Sequence, residues 1–566
     1  MPLREPRTRK GDRELMTEVT TRPGSAIDRD GPQSRTLPGF LAERARDRGD
    51  DVCLIDATTG ESVSYRALFD GARRLGAGLD VLGVAAGDTV ATMVTHSLDT
   101  YRLWFGLTDI GVLEVPINTK YKGRMLEHIL QDSGATAVVI DPAFHDDLCE
   151  VLRSASLPNL RWVLVTGSAA VPRTSAHLET RALTEIWCDA LPEDVPAAHD
   201  RAPHDLSMVM YTSGTTGPSK GVLVPWGQVD STTTGVFPED TYVPGTVLYG
   251  PFPPNHIGGR LFASIAIRYG VVAVIRDTFS ASAFWTDVER YGCTTTALVS
   301  AMANILWKAA AGGHDADNSL RDVLMIPLIP EFKSFETRYG VRICTVFNMT
   351  EVSVVTESEW AVDEWRSCGR VRQGGPGYEL RIVDAHDYPV PAGEVGELVC
   401  RTDTPWAMNA GYFGQPAQTA AAWRNGWFHT GDAFRADDEG RFYFVDRIKD
   451  AIRRRGENVS SFEVEREVLD HPDVLDCAAI GVPGELGEEE IKVFVVRTAG
   501  AELSAELLIA FMASKCAAFM VPRHVEFVDA LPKTQATDRV KKAELRQLEA
   551  QRRQARGEVP VTETGS

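Results

Sequence analysis

Short β-branched apolar runs alternate with helical stretches from about Leu37 onward, and this alternation limits the possible folds more than any other feature of the chain. Thr89-Val90-Ala91-Thr92-Met93-Val94, Ala137-Val138-Val139-Ile140 and Trp162-Val163-Leu164-Val165 are largely apolar along their length rather than alternating in polarity. Strands of a parallel sheet look like this, because crossover helices cover both faces. The pattern predicts an α/β fold in which β-sheets are flanked by helices. No short period recurs, which argues against a solenoid or a propeller.

A chain of 566 residues exceeds one compact core, so a large body with at least one further domain is expected. The texture changes near residue 446. Gly440-Arg441-Phe442-Tyr443-Phe444-Val445 reads as a strand, and Asp446-Arg447-Ile448-Lys449-Asp450 is a dense run of charge. Beyond it, periodicity predicts a helix around Phe462 to Leu469, strands around Ala478 to Val482 and Ile491 to Val496, and a helix from Ala505 to Phe519. The expected organisation is a disordered leader over 1–35, a large multi-layered domain over 36–446, a small mobile α+β domain over 447–550 and a flexible tail over 551–566.

Charge and cysteine usage exclude several functions. A net charge of -20 disfavours nonspecific attraction to nucleic acid or anionic lipid, which are themselves negative. The nine cysteines are scattered without a CxxC pair or neighbouring histidines at metal-ligand spacing, as expected of reduced thiols. Residues 1–35 hold Arg4, Arg7, Arg9, Lys10 and Arg13 but no signal-peptide core, and no apolar run is long enough to span a bilayer. The expectation is a cytoplasmic protein.

The strongest chemical signal is Tyr211-Thr212-Ser213-Gly214-Thr215-Thr216-Gly217-Pro218-Ser219-Lys220-Gly221, which follows the apolar Met208-Val209-Met210. Glycines let backbone approach an anion, hydroxyls and N–H groups donate to phosphate oxygens, and a lysine adds positive charge. Composition alone would equally suit a Ser/Thr/Gly linker. The string is not a GxxxxGK[ST] loop, since glycine follows Lys220.

It closely resembles the phosphate-binding signature of the adenylate-forming (AMP-binding) superfamily, which includes acyl-CoA synthetases, and further motifs follow in that family's order. Together they cover roughly residues 40–547 and are similar to acyl-CoA ligase-like members. Phe347-Asn348-Met349-Thr350-Glu351 resembles the element whose threonine meets the phosphate and whose glutamate holds magnesium; taken alone, such a pair more often opens a helix. Trp427-Phe428-His429-Thr430-Gly431-Asp432 resembles the element whose aspartate accepts from the ribose hydroxyls, and the same residues read as a turn. Asp446 to Asp450 resembles the inter-domain hinge, with Arg447 near the ribose and Lys449 as pivot, and Gly456-Glu457-Asn458-Val459 continues the match. A solvated charge run is the bland reading. His256, in Pro253-Pro254-Asn255-His256-Ile257-Gly258-Gly259, stands where relatives line the acyl pocket, with Gly258 and Phe347 beside it.

Two departures accompany the resemblance. The final motif reads Pro532-Lys533-Thr534-Gln535-Ala536-Thr537-Asp538-Arg539-Val540-Lys541-Lys542, one residue longer than the family pattern, with Arg539 in the place of its active-site lysine and Lys541 as a second candidate. Met325-Ile326-Pro327-Leu328-Ile329-Pro330 replaces a glycine-rich loop, so its bulk is expected to fill pocket space and select a short or compact substrate. Asn348 also replaces a glycine.

The resemblance implies an ATP-dependent ligase that activates a small carboxylic acid as an acyl-adenylate and passes it to coenzyme A, using ATP and Mg2+. It implies nucleotide contacts from Thr212, Ser213, Gly214, Thr215, Thr216, Gly217, Lys220, Asn348, Thr350, Asp432 and Arg447. Lys220, Thr350, Glu351, Arg539 and Lys541 are the implied catalytic residues, Glu351 the metal ligand and Gly456 the thioester-forming face. Two other outcomes stay open at this level: a diazotase-like enzyme that adenylates nitrite for an amine, and a catalytically weakened nucleotide-binding sensor or scaffold.

Overall fold

The computed structural model describes residues 36–167, 178–188, 201–212, 219–309, 315–448, 450, 452–454, 457–484, 489–516, 518–533 and 540–555. The expected leader, Ser213, Gly214, Thr215, Thr216, Gly217, Lys449, Gly456 and Arg539 lie outside these residues.

Two mostly parallel sheets form the bulk of the body. In one, the strand order is Glu179–Ala182, Trp162–Val165, Ala137–Ile140, Thr89–Met93, Leu113–Pro116, Leu206–Thr212 and Lys220–Pro225. Only the last pair is antiparallel. The other sheet runs Arg342–Cys344, Asp322–Ile326, Thr295–Val299, Val247–Gly250, Val272–Ile275, Val52–Asp56 and Ser62–Ser64. The apolar runs read from sequence are these central strands, and their near-total burial follows from cover on both faces.

A third sheet, which the sequence patterning did not announce, is antiparallel throughout: Val346–Met349, Ser353–Glu357, Ser367–Val371, Arg441–Arg447, Phe428–Ala436, Gly396–Thr402 and Tyr378–Val383. The chain passes from the second sheet into the third within three residues, between Cys344 and Val346. Phe347 to Glu351 is therefore strand followed by turn, which corrects the helix-start reading of Thr350-Glu351.

Beyond residue 452 a two-stranded ribbon, Ile452–Arg454 with Glu457–Val459, accompanies a three-stranded sheet of Val474–Pro483, Glu489–Arg497 and His524–Phe527. Helices Ser461–Leu469 and Ala505–Lys515 pack on an apolar cluster of their own, which includes Val464, Val468, Val493, Leu508 and Met512. This is a small α+β C-terminal domain. Ser460 caps the first helix through Glu463 N at 3.0 Å. The second stops at Lys515 rather than Phe519, because Cys516 turns to an extended conformation (φ -116°, ψ 161°). The last helix, Lys542–Ala555, runs into the expected tail, where Arg552 pairs with Glu526 and Arg553 donates to Pro483 O.

All nine cysteines are free thiols. No helix among the described residues is long and apolar enough to cross a membrane.

Candidate active site

Strands Leu206–Thr212 and Lys220–Pro225 form a hairpin in which Tyr211 faces Gly221 and Thr212 faces Lys220. The Gly/Ser/Thr segment thus begins and ends at one sheet edge. Ser219 is held from outside by His128, whose Nε2 lies 2.9 Å from its carbonyl oxygen, and by a hydrogen bond with the Tyr121 hydroxyl. Tyr211 donates to Asp132 Oδ2 at 2.6 Å, anchoring the first strand's end.

Residues 409–413, which sequence reasoning did not select, close the next wall. They lie along strand Lys220–Pro225: Leu223 N donates to Gly411 O (2.9 Å), Ala410 N to Leu223 O (2.9 Å) and Phe413 N to Gly221 O (2.7 Å). Asn409 donates twice to Glu351 O, from its backbone N at 3.0 Å and from Nδ2 at 2.8 Å. Tyr412 then joins two expected site residues. Its ring lies 5.2 Å from Lys220 Nζ, and its hydroxyl donates to Glu351 Oε1 at 3.4 Å. The short string Gly411-Tyr412 offered only a turn signal, which explains why sequence alone passed over it.

Thr350 is placed by Gln228, whose Nε2 donates to its carbonyl oxygen at 2.6 Å. Glu351 is buried, and desolvation raises its carboxyl above the usual range; nearby Arg447 opposes that rise and Asp432 adds to it. Asp432 and Arg447 sit opposite each other on adjacent strands, with Nε and Oδ1 3.2 Å apart. Tyr412 thus links Lys220 to Glu351, while Asp432 pairs with Arg447, whose charge acts on the Glu351 carboxyl.

The donor set fits a hard dication held jointly with a nucleotide. Glu351 presents one buried carboxylate whose ionisation a cation would favour. The described residues contain no group of three His, Cys, Asp or Glu side chains able to cage a metal alone. Magnesium usually takes one or two carboxylates and completes its shell with phosphate and water oxygens.

His256 caps helix Ile257–Tyr269, with Nδ1 accepting from Gly258 N at 3.1 Å, and burial lowers the imidazole to about 4. It is neutral at pH 7. Gly259 is sterically required, since a Cβ there would stand 2.0 Å from Pro253 O. Ile257 and Leu261 join Phe252, Val299, Met302 and Ile326 in one apolar cluster near His256.

One expectation is corrected here, that the bulk of Met325 to Pro330 fills pocket space. Phe347 packs edge-to-face against Phe434, with ring centroids 4.8 Å apart, in a cluster with Ile382, Leu398 and Phe442. Its ring thus serves the antiparallel sheet's core. Leu328 and Ile329 are buried with Phe332 and Phe335 in a second apolar cluster, so most of that segment's bulk enters the core rather than the space beside His256; Ile326 alone joins the wall. Asn348, half-buried, adjoins a register shift between Phe347 and Asn348.

The charge run after residue 445 is no solvated string. Asp446 Oδ2 accepts from both N and Oγ of Ser461 at 2.6 Å, and Asp450 pairs with Arg546 at 2.8 Å. Both aspartates are buried. In the final motif the chain leaves at Lys533 and returns at Val540, which are bridged to one another, and Lys541 N donates to Pro532 O at 2.7 Å. Lys541 Nζ pairs with Glu544 at 2.7 Å. Burial raises the Tyr121 phenol, while the Lys541 charge and the Ser219 hydrogen bond oppose that rise.

The chain is similar to known proteins over most of its length. The model of the AMP-binding enzyme family matches residues 41–413, and that of the AMP-binding enzyme C-terminal domain matches residues 463–537. A crotonobetaine/carnitine–CoA ligase of Salmonella agona (strain SL483) is 31% identical over 513 residues, covering 87% of this chain and 96% of the relative. Among solved structures, the anthranilate CoA ligase AuaEII in complex with anthranoyl-AMP superposes with a TM-score of 0.78 at 23% identity, covering 92% of this chain and 99% of that one. The o-succinylbenzoate coenzyme A synthetase MenE from Bacillus subtilis, in complex with ATP and magnesium, gives 0.76 at 22% identity over 90% and 99% of the two chains. Structures this distant attest the fold, while the family models and the sequence relative carry the assignment: the chain belongs to the AMP-binding enzyme family and is an ATP-dependent, AMP-forming ligase.

Proposed function

We propose that the enzyme activates a small carboxylic acid as its acyl-adenylate and transfers the acyl group to coenzyme A. The observation that supports this reading is that Tyr412 joins Lys220 to Glu351 while Arg447, paired with Asp432, acts on the Glu351 carboxyl, which suits a phosphate cation, a metal carboxylate and a ribose acceptor. The Salmonella relative, named for coenzyme A ligation, supports the choice of acceptor.

In the first half-reaction a carboxylate oxygen attacks the α-phosphorus of ATP, a new P–O bond forms, and the bond to the departing pyrophosphate breaks. Lys220 and the residues Ser213 to Gly217 bind the phosphates, Thr350 hydrogen-bonds beside them, and Asp432 with Arg447 orients the ribose. When bound through Glu351, magnesium neutralises phosphate charge. Arg539 or Lys541 supplies a further cation as charge develops, from the hairpin that starts at Lys533. Neutral His256 and Gly258 border the acyl group, beside the apolar residues Phe252, Ile257, Leu261 and Ile326. In the second half-reaction the small domain turns about Lys449 and presents Gly456, the thiol sulfur attacks the acyl carbon, its proton goes to solvent, and AMP leaves. Alignment and charge neutralisation are sufficient without a covalent enzyme intermediate.

The test is pyrophosphate release across short, branched and aromatic acids, with and without coenzyme A, with products identified by mass spectrometry. An acyl-CoA is the expected product. A diazotised arylamine from nitrite would replace this reading with the diazotase one, and ATP binding without pyrophosphate release on any acid would favour a sensor or scaffold.

A further inference from the structure

We infer that Glu397 is a positioning residue for the ribose-contacting carboxylate Asp432, an inference that rests on the nucleotide reading above. The segment carrying Asp432 is not regular strand. Its pairing with Gly396–Thr402 shifts register between Glu397 and Val399, its pairing with Arg441–Arg447 shifts between Ala433 and Phe434, and Gly431 is left-handed (φ 71°). A backbone that leaves a sheet ladder needs new partners for its polar groups, and these partners then decide where the following side chain points.

Glu397 supplies them. Its Oε1 accepts from Gly431 N at 3.0 Å, while Oε2 lies 2.9 Å from His429 Nδ1 and accepts from Arg424 Nη2 at 3.1 Å. Arg424 also donates to Asp387 Oδ1 at 3.2 Å, so the guanidinium is clamped between two carboxylates. Within the turn, Thr430 Oγ1 donates to Leu398 O at 2.6 Å and accepts from Asp432 N at 3.2 Å, and Gly431 O accepts from Ile448 N at 3.1 Å. Apart from the Arg424–Asp387 pair, each of these contacts lies within two residues of Asp432 or is made by Glu397 itself. The Glu397 side chain is 13% exposed and that of His429 4%. Glu397 touches the peptide before Asp432 rather than Asp432 itself, so it acts through the turn. The Arg447 partner of Asp432 fixes the carboxylate from the opposite strand, and Glu397 fixes the backbone from which it projects.

The test is a double-mutant cycle on ATP affinity with Glu397→Ala, Asp432→Ala and their combination, repeated with 2′,3′-dideoxy-ATP, which lacks both hydroxyls. Loss of a charge-assisted backbone contact at Glu397→Ala is expected to raise the KM for ATP about tenfold, with the KM for the acid moving less than about twofold. The penalty is expected to vanish in the Asp432→Ala background and with the dideoxy nucleotide. Glu397→Gln, which keeps an acceptor for Gly431 N–H, is expected to recover part of the loss. If Glu397→Ala does not fold, the cycle is run with Glu397→Gln on the same criterion. A penalty equal for both nucleotides and additive with Asp432→Ala overturns the positioning role while leaving the nucleotide reading intact. Wild-type protein that binds ATP and the dideoxy nucleotide equally overturns the ribose assignment and this inference with it.

Discussion

Asp432 and Arg447 occupy opposing positions on neighbouring antiparallel strands, and the 3.2 Å approach of Arg447 Nε to Asp432 Oδ1 joins the last strand before the small domain to the strand that carries the proposed ribose acceptor. Asp432→Asn keeps the shape but loses the charge, so ATP affinity measured by calorimetry is expected to fall about 10- to 100-fold, the range of a charge-assisted hydrogen bond. An unchanged Kd would remove Asp432 from the nucleotide site.

Glu351 makes opposite predictions for stability and activity. Burial raises its carboxyl above the unfolded value, so the native state holds more protons between the two pKa values and loses stability as pH rises through that window. Glu351→Gln removes this cost and is expected to raise the thermal midpoint of the nucleotide-free protein at pH 7. Magnesium-dependent pyrophosphate release is expected to drop by about two orders of magnitude. Finding instead a lower midpoint with full activity contradicts both expectations.

Lys541 follows Val540, which is bridged to Lys533, and its amine pairs with Glu544 at 2.7 Å. Pyrophosphate exchange is expected to slow by about 10- to 100-fold in at least one of Arg539→Ala and Lys541→Ala, with the thioester half-reaction from added acyl-adenylate less affected. Near-native exchange in both variants would falsify the role given to this segment.

The large body touches the small domain through Trp365, whose ring lies 3.9 Å from the Arg466 guanidinium carbon, and through Phe444, edge-to-face with Phe462 at 5.5 Å. A cation–π contact is worth about 0.5–2 kcal/mol. Arg466→Ala is therefore expected to slow adenylation severalfold and to spare or speed thioester formation, read as separate half-reactions. Equal slowing of both steps indicates that the contact does not bias the arrangement of the domains.

Arg260 and Glu114 form a buried pair at 2.6 Å, each side chain 1% exposed, and Arg260 also donates to Pro254 O at 2.9 Å beside His256. Arg260→Met strands a buried carboxylate and is expected to cost about 3–5 kcal/mol. Adding Glu114→Gln should return part of it. A single variant as stable as wild type in urea unfolding argues against this.

What the sequence determined by itself was local. Apolar runs marked the parallel strands because burial on both faces demands continuous hydrophobicity, and they coincide with Ala137–Ile140 and Trp162–Val165 residue for residue. The motif strings marked Lys220, Glu351 and Asp432 because the family resemblance implies phosphate, metal and ribose contacts at those positions. Tertiary structure decided the rest. Tyr412 and Asn409 enter the site only because their segment pairs with the edge of Lys220–Pro225, a relation between residues almost two hundred positions apart. Leu328 and Ile329 enter the core rather than the pocket because packing, rather than chain position, chooses the face on which an apolar side chain is buried. Asp446 and Asp450, a surface string by composition, become buried seams because Ser461 and Arg546 arrive from the following domain to satisfy them.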